Sequence, residues 1–214
     1  MTRRPFWMLL SILLLTGSSA WAAVAGHVQG VAIDDKVLVD GLPAVLNGAG
    51  LKQRFGLDTD VMALYLPRKV HGLAAATALD GAKRLRFVML VPLKGRQLER
   101  TFTQSATRTL TPLELGALTD DIMAIGRAYD KLGDVKPGDV IDIDWTPGLG
   151  LGATINGRPL LLGERGGRSQ ERLANPLLFG VLLRVYLETD RPGEFLDNML
   201  GLSSSMLRTR ELSR

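Results

Sequence analysis

Hydrophobic positions along this chain recur with two periods, near two and near three and a half residues, and the order in which they alternate predicts the elements. Residues 31–40 with Gly41, then 43–46, read as two short strands meeting at Asp40-Gly41, a hairpin dipeptide. A Gly-rich segment, NGAG at 47–50, comes next, followed by 51–55 and by 58–66. The last of these, DTDVMALYL, is apolar on both faces, which predicts a buried strand ended by Pro67. Residues 70–79 form a short Ala-rich helix candidate. In 84–93 Leu85, Phe87, Met89 and Val91 share one face, and Arg84 and Arg86 begin the other.

Two helices are predicted after that strand. The first covers 96–109, with Leu98 and Phe102 four apart on a thin apolar face. The second opens at Thr111-Pro112-Leu113-Glu114, which supplies an N-cap Thr, Pro at the first helical position and Glu at N3. Its stripe is Leu115, Leu118, Ile122, Ile125, Tyr129 and Leu132, and Gly133 stops it. Residues 139–145 alternate again, with Ile141, Ile143 and Trp145 opposite Asp142 and Asp144, so one face of that strand is expected to be wet. Asn156-Gly157 between 153–155 and 158–162 marks a second hairpin. Asn175-Pro176 opens a helix carrying Leu177, Leu178, Val181, Leu182, Val185 and Tyr186, and 192–200 is a final helix candidate. Strands in hairpins and helices in blocks predict an α+β fold: an open-faced β-sandwich, one large antiparallel sheet with helices on one face.

The first 22 residues read as a signal peptide: Arg3 and Arg4, an apolar run over 6–15, then the small residues GSSAWA. Cleavage is expected after Ala22, with Ala25 as the second candidate. The run is short for a bilayer span, and no later segment reads as one, so a periplasmic protein without a stable membrane span is expected. One domain over 31–200 and a frayed tail at 201–214 complete the organisation. The formal charge of +4 comes from 26 Lys+Arg against 22 Asp+Glu. Without Arg3 and Arg4 the mature chain is nearly neutral, which gives no argument for a nucleic-acid partner.

Zero cysteines exclude disulfides, thiolate metal sites and cysteine nucleophiles. The two histidines suit neither a triad nor a metal site: His27 lies near the expected mature N-terminus, and His71 opens a helix candidate. No metal and no cofactor are expected. Gly148-Leu149-Gly150-Leu151-Gly152 lacks the Lys-Ser/Thr end of a phosphate loop and precedes a strand, so it reads as a turn, and GERGG at 163–167 reads as a loop. What remains is NGAGLKQRF at 47–55, followed by Asp60 and Tyr65. Its glycines permit close approach of a ligand or of another backbone, and residues 52 and 54 point to one side. Two readings stand: a tight turn with two solvated cations, or an anion clamp at the mouth of an apolar cavity.

LNGAGLKQRF at 46–55, VMALYLP at 61–67, the strand at 85–93, DVIDIDWTP at 139–147, the Asn-Gly hairpin and LLRVYL at 182–187 together resemble the bacterial chalcone isomerase-like family, over roughly 31–200. The resemblance implies the chalcone isomerase fold. It also implies that this chain does not cyclise chalcones: where plant chalcone isomerases carry Arg, Thr, Tyr and Asn, this sequence has Lys52, Asp60, Leu98 and Ser105. A Leu offers no phenolic hydrogen bond, and an Asp repels a phenolate.

Non-catalytic plant relatives hold fatty acids through that cation, so the resemblance implies a small apolar carboxylate as ligand. Lys52 or Arg54 would be its partner, and Asp60, Met62, Leu98, Phe102 and Ser105 would line the cleft. Two alternatives are an intramolecular lyase or isomerase, with Lys52 and Arg54 on an oxyanion and Asp60 as base, and a non-catalytic envelope interaction protein.

Overall fold

The structure is a computed structural model and describes residues 23–54, 56–165, 168–189 and 193–203. The expected signal peptide and the tail from 204 onward lie outside the described residues. β1 (Val24–Val28) and β2 (Val31–Asp34) form a hairpin of their own. Then come β3 (Lys36–Val39), β4 (Leu42–Arg54), β5 (Leu57–Leu66), α1 (Leu73–Ala78) and β6 (Lys83–Met89). The two-residue β7 (Leu93–Lys94) leads into α2 (Gly95–Thr109) and α3 (Pro112–Asp130), and β8 (Asp134–Val135) pairs back on β7. β9 (Val140–Thr146), β10 (Gly150–Ile155) and β11 (Arg158–Pro159) continue the main sheet. The short pair β12 (Gly163–Arg165) and β13 (Arg168–Gln170), then β14 (Arg172–Leu173), precede α4 (Leu178–Leu187) and α5 (Gly193–Met199). The main sheet runs β11-β10-β9-β6-β5-β4-β3, with β14 also on β10, and every pairing in it is antiparallel.

Both predicted hairpin turns form for the expected reason. Asp40 and Gly41 have φ of 48° and 82°, and Asn156 and Gly157 have 49° and 75°, the left-handed pair that a type I′ turn needs. The cap of α3 is also as read: Thr111 Oγ1 accepts from the Glu114 amide at 3.2 Å, and Glu114 accepts from the Thr111 amide at 3.0 Å. The segment 31–40 differs from the reading, because it breaks at Asp35 into β2 and β3. β2 leaves the main sheet to pair with β1, so His27 lies on an exposed position of a strand rather than in a frayed end.

Helices cover one face of the sheet. Leu64, Leu85, Ile143 and Leu151 are buried there in one core with Leu118, Ile125, Leu178 and Leu182. On the opposite face Ile33, Val39, Leu46, Val61 and Tyr65 form a second, smaller core. That face is not wet, which corrects the expectation drawn from Asp142 and Asp144: the two are only 7 % and 6 % exposed. β6 and β9 place Arg84 opposite Asp144 and Arg86 opposite Asp142. Arg84 Nε and Nη2 donate to Asp144 at 2.7 and 2.6 Å, and Arg86 Nε and Nη2 donate to Asp142 at 2.8 and 2.9 Å. Arg86 Nη1 also reaches Asp34 of β2 at 3.2 Å. Alternation thus identified a polar face, but bidentate pairing let it be buried.

The Gly-rich segment is no turn. It lies inside the 13-residue β4, past a bulge that leaves Asn47 unpaired between Leu46 and Gly48. Asn47 Nδ2 donates to the Met199 carbonyl at 3.0 Å and Asn47 Oδ1 accepts from the Val70 amide at 2.9 Å, tying α5 to the approach of α1. A Cβ on Gly48 would stand 1.9 Å from the Asn198 carbonyl oxygen, and one on Gly50 would stand 2.9 Å from the Phe195 ring. Of the two partners that bare glycines could admit, it is the backbone and ring of α5 that approach them.

Stability measurements on three variants test this packing and pairing. Gly48→Ala is expected to lose about 1–3 kcal/mol in urea unfolding because α5 must lift. Gly116→Ala, on an open face of α3 with nothing within 4 Å, should gain about 1 kcal/mol. Asp142→Ala, which takes the bidentate partner from the partly buried Arg86 and leaves it only Asp34, should cost about 3 kcal/mol in the same assay.

Candidate functional site

Past Gly48 and Gly50, the helix-facing row of β4 continues with Lys52 and then Arg54, beyond the reach of α5. A cavity of about 310 Å³ opens there, between the end of the β4–β5 pair and helices α2, α3 and α4. Lys52 is 5 % exposed, and its Nζ donates to the Tyr186 carbonyl at the end of α4 at 2.5 Å. Arg54 is half-buried nearer the mouth, where its Nη2 donates to Ser105 Oγ at 2.9 Å. Leu57, 61 % exposed, sits on the rim.

A second bulge shapes the floor. Lys52 pairs with Asp60 and Gln53 with Asp58, so Thr59 is the extra residue, and both Thr59 and Asp60 reach the cavity. Thr59 Oγ1 lies 2.7 Å from Asp60 Oδ1 and 3.2 Å from the Lys52 carbonyl. Burial raises the Asp60 carboxyl above the usual carboxylate value, against the opposing pull of Lys52, Thr59 and Arg54.

The walls are apolar and aromatic. On α2, Leu98, Phe102 and Ser105 are spaced four and three apart, which brings all three to one helix face over the cavity. Phe102 contacts Tyr129 of α3 edge-on at 5.7 Å and stacks on Tyr186 of α4 at 5.8 Å, while Phe87 of β6 meets Tyr186 at 4.9 Å. The Tyr129 and Tyr186 hydroxyls bond to each other, and burial pushes Tyr129 up to about 12. Just outside, Arg108 Nε donates to Glu188 at 2.6 Å. Burial would raise the Glu188 carboxyl, but bonds from Arg108 and Ser105 and the charges of Arg108 and Arg54 hold it below its usual value.

Six residues singled out from the sequence, Lys52, Arg54, Asp60, Leu98, Phe102 and Ser105, meet around this one cavity. Met62 does not join them. It pairs with Gly50, whose helix side Phe195 covers, and is wholly buried in the helix-side core. Sequence reasoning missed Thr59, because a bulge leaves no mark in the alternation, and took Tyr129 and Tyr186 for core because they complete helical stripes. His71 Nδ1 meets the Gly201 carbonyl. Among the described residues no group of three His, Cys, Asp or Glu side chains could hold a metal ion, and no helix is long and apolar enough to cross a membrane.

No curated protein sequence matches this chain. Among solved structures it is similar to a fatty-acid binding protein of Arabidopsis thaliana, with a TM-score of 0.61 at 16 % identity over 84 % of this chain and 98 % of that one. At that identity the likeness establishes a shared fold. The family described as chalcone isomerase-like matches residues 25–200, a span that contains the main sheet, the five helices of the described residues and the residues lining the cavity. The chain therefore belongs to the chalcone isomerase-like family.

Proposed function

We propose that the mature chain is a periplasmic protein of the bacterial, non-plant branch of this family, and that it binds a small apolar carboxylate, such as a medium-chain fatty acid, without cyclising chalcones. The observation that carries this reading is the pairing of an apolar, aromatic-walled cavity with two cations, Lys52 and Arg54, on one side of it. Its volume is at the lower end of the ~300–1,000 Å³ usual for small-molecule sites, which favours a medium rather than a long acyl chain. The similar Arabidopsis protein is described as fatty-acid binding, which agrees with that chemistry.

Arg54 is the better carboxylate partner. The Lys52 ammonium donates to the Tyr186 carbonyl and faces Asp60 directly across the strand pair. Arg54 stands nearer the mouth, commits one nitrogen to Ser105, and presents a planar fork suited to two carboxylate oxygens. Leu98 and Ser105, at positions where a phenol and an amide would act on a chalcone, supply neither group.

The start of β1 supports cleavage after Ala22. The Ala23 carbonyl accepts from the Asp35 amide at 2.8 Å and Val24 pairs with Asp34. Cleavage after Ala25 would remove both contacts.

Two measurements test the proposal. In thermal unfolding, decanoic acid at a hundred times its Kd should stabilise the mature protein by about 2.7 kcal/mol, and Arg54→Met should weaken binding tenfold or more. No shift with any acid from eight to eighteen carbons would overturn the reading. N-terminal sequencing of protein recovered from a periplasmic extract should begin at Ala23. Retention of residues 1–22 on the extracted protein would refute the localisation.

A further inference from the structure

Asp60 is the polar group of the cavity whose needs are only half met. It lines the cavity and is 7 % exposed; its Oδ1 accepts from Thr59, but its Oδ2 is buried with no hydrogen-bond partner. An unpaired buried carboxyl oxygen is costly, and most such atoms in native proteins are paired. The residue is held where it is by the Thr59 bulge and stands opposite Lys52, two residues deeper along β4 than Arg54, which is about 7 Å of strand. The torsion that turns a carboxylate about its last bond is soft, so Oδ2 can meet a group in the cavity without any movement of the backbone.

We propose that Asp60 is a second polar pole of the cavity and that the ligand carries a hydroxyl on its acyl chain, which pairs with this carboxyl while Arg54 holds the acid end. This rests on the carboxylate-binding reading above and narrows its ligand class to hydroxy acids. A hydroxyl fits because it both donates and accepts, and so pairs with Asp60 whether the carboxyl is ionised or protonated. An amine would meet the charge of Lys52 at the same place, and a second carboxylate would meet that of Asp60. A plain alkyl chain would lie against Oδ2 and leave it unpaired in the complex.

The experiment compares decanoic acid with decanoic acids hydroxylated at carbon 3, 6 or 10, by calorimetry on the delipidated mature protein. At least one hydroxy acid should bind tenfold or more tighter than decanoic acid, the gain expected of a hydrogen bond to a charged group. That ratio should fall only part of the way in Asp60→Asn, which keeps a hydrogen-bonding oxygen without the charge, and collapse towards one in Asp60→Val. Decanoic acid binding as tightly as every hydroxy acid would overturn this inference and leave the carboxylate-binding reading intact. Failure of all four acids to bind would overturn this inference, and the carboxylate-binding reading falls with it when every acid from eight to eighteen carbons also fails to bind. A ratio retained in Asp60→Val would also overturn the inference, and if that variant does not fold, the wild-type ratio alone decides.

Discussion

Burial of both faces of the main sheet obliges each charged side chain on its strands to find a partner without much help from water. On the face away from the helices most of the obligation is met inside the protein, although one guanidinium nitrogen of Arg172 stays unpaired. Arg84 and Arg86 stand in register with Asp144 and Asp142, each pair closed by two short bonds, with Asp34 of β2 joining at the edge. On the helix face it is met incompletely. Lys52 has the end of α4, Arg54 has Ser105, and Asp60 is left with one unpaired oxygen. The asymmetry separates a structural charge ladder from a binding site built of the same residue types.

Where the helix face stays open is decided by how far α5 extends along β4. Gly48 and Gly50 have no side chains, so α5 lies directly on the strand, and its Phe195 closes the space over Gly50. Lys52 and Arg54 are the next two residues of that row, and their length keeps the helices from closing in the same way. The gap is then walled by Phe87, Phe102, Tyr129 and Tyr186, whose edge-on and stacked contacts hold α2, α3 and α4 at a set distance from the sheet. Bulges at Asn47 and Thr59 supply local adjustments on either side of the glycines: one anchors α5, and the other sends two adjacent residues, rather than alternate ones, into the cavity.

Much of the fold was legible because its signals are local. The two type I′ turns, the capping box of α3 and the alternation of β6 and β9 each depend on a few neighbouring residues and on backbone geometry. Six of the positions singled out from the sequence lie around one cavity. Met62 shows where such reasoning stops: it shares a strand face with Asp60, yet α5 covers the neighbouring Gly50 and leaves Met62 in the core. Tyr129 and Tyr186 show the converse, since a helical stripe looks the same whether it packs on a sheet or borders a gap.

By itself, the sequence determined the order of the long strands and the helices, the α+β class and which residues share a face, because these follow from periodicity and turn chemistry within short stretches of chain, whereas the short pairs β1–β2, β7–β8 and β12–β13 carry no such signal. Only the tertiary structure decided what each face meets. It made the polar face of β6 and β9 a buried ion-pair ladder, gave the glycines of β4 to a helix, and opened a cavity beside Lys52, Arg54 and Asp60. The physical reason is that burial and pairing are properties of contacts between segments far apart in the chain, such as 52 with 186 or 54 with 105, and no periodicity along one segment records its distant partner.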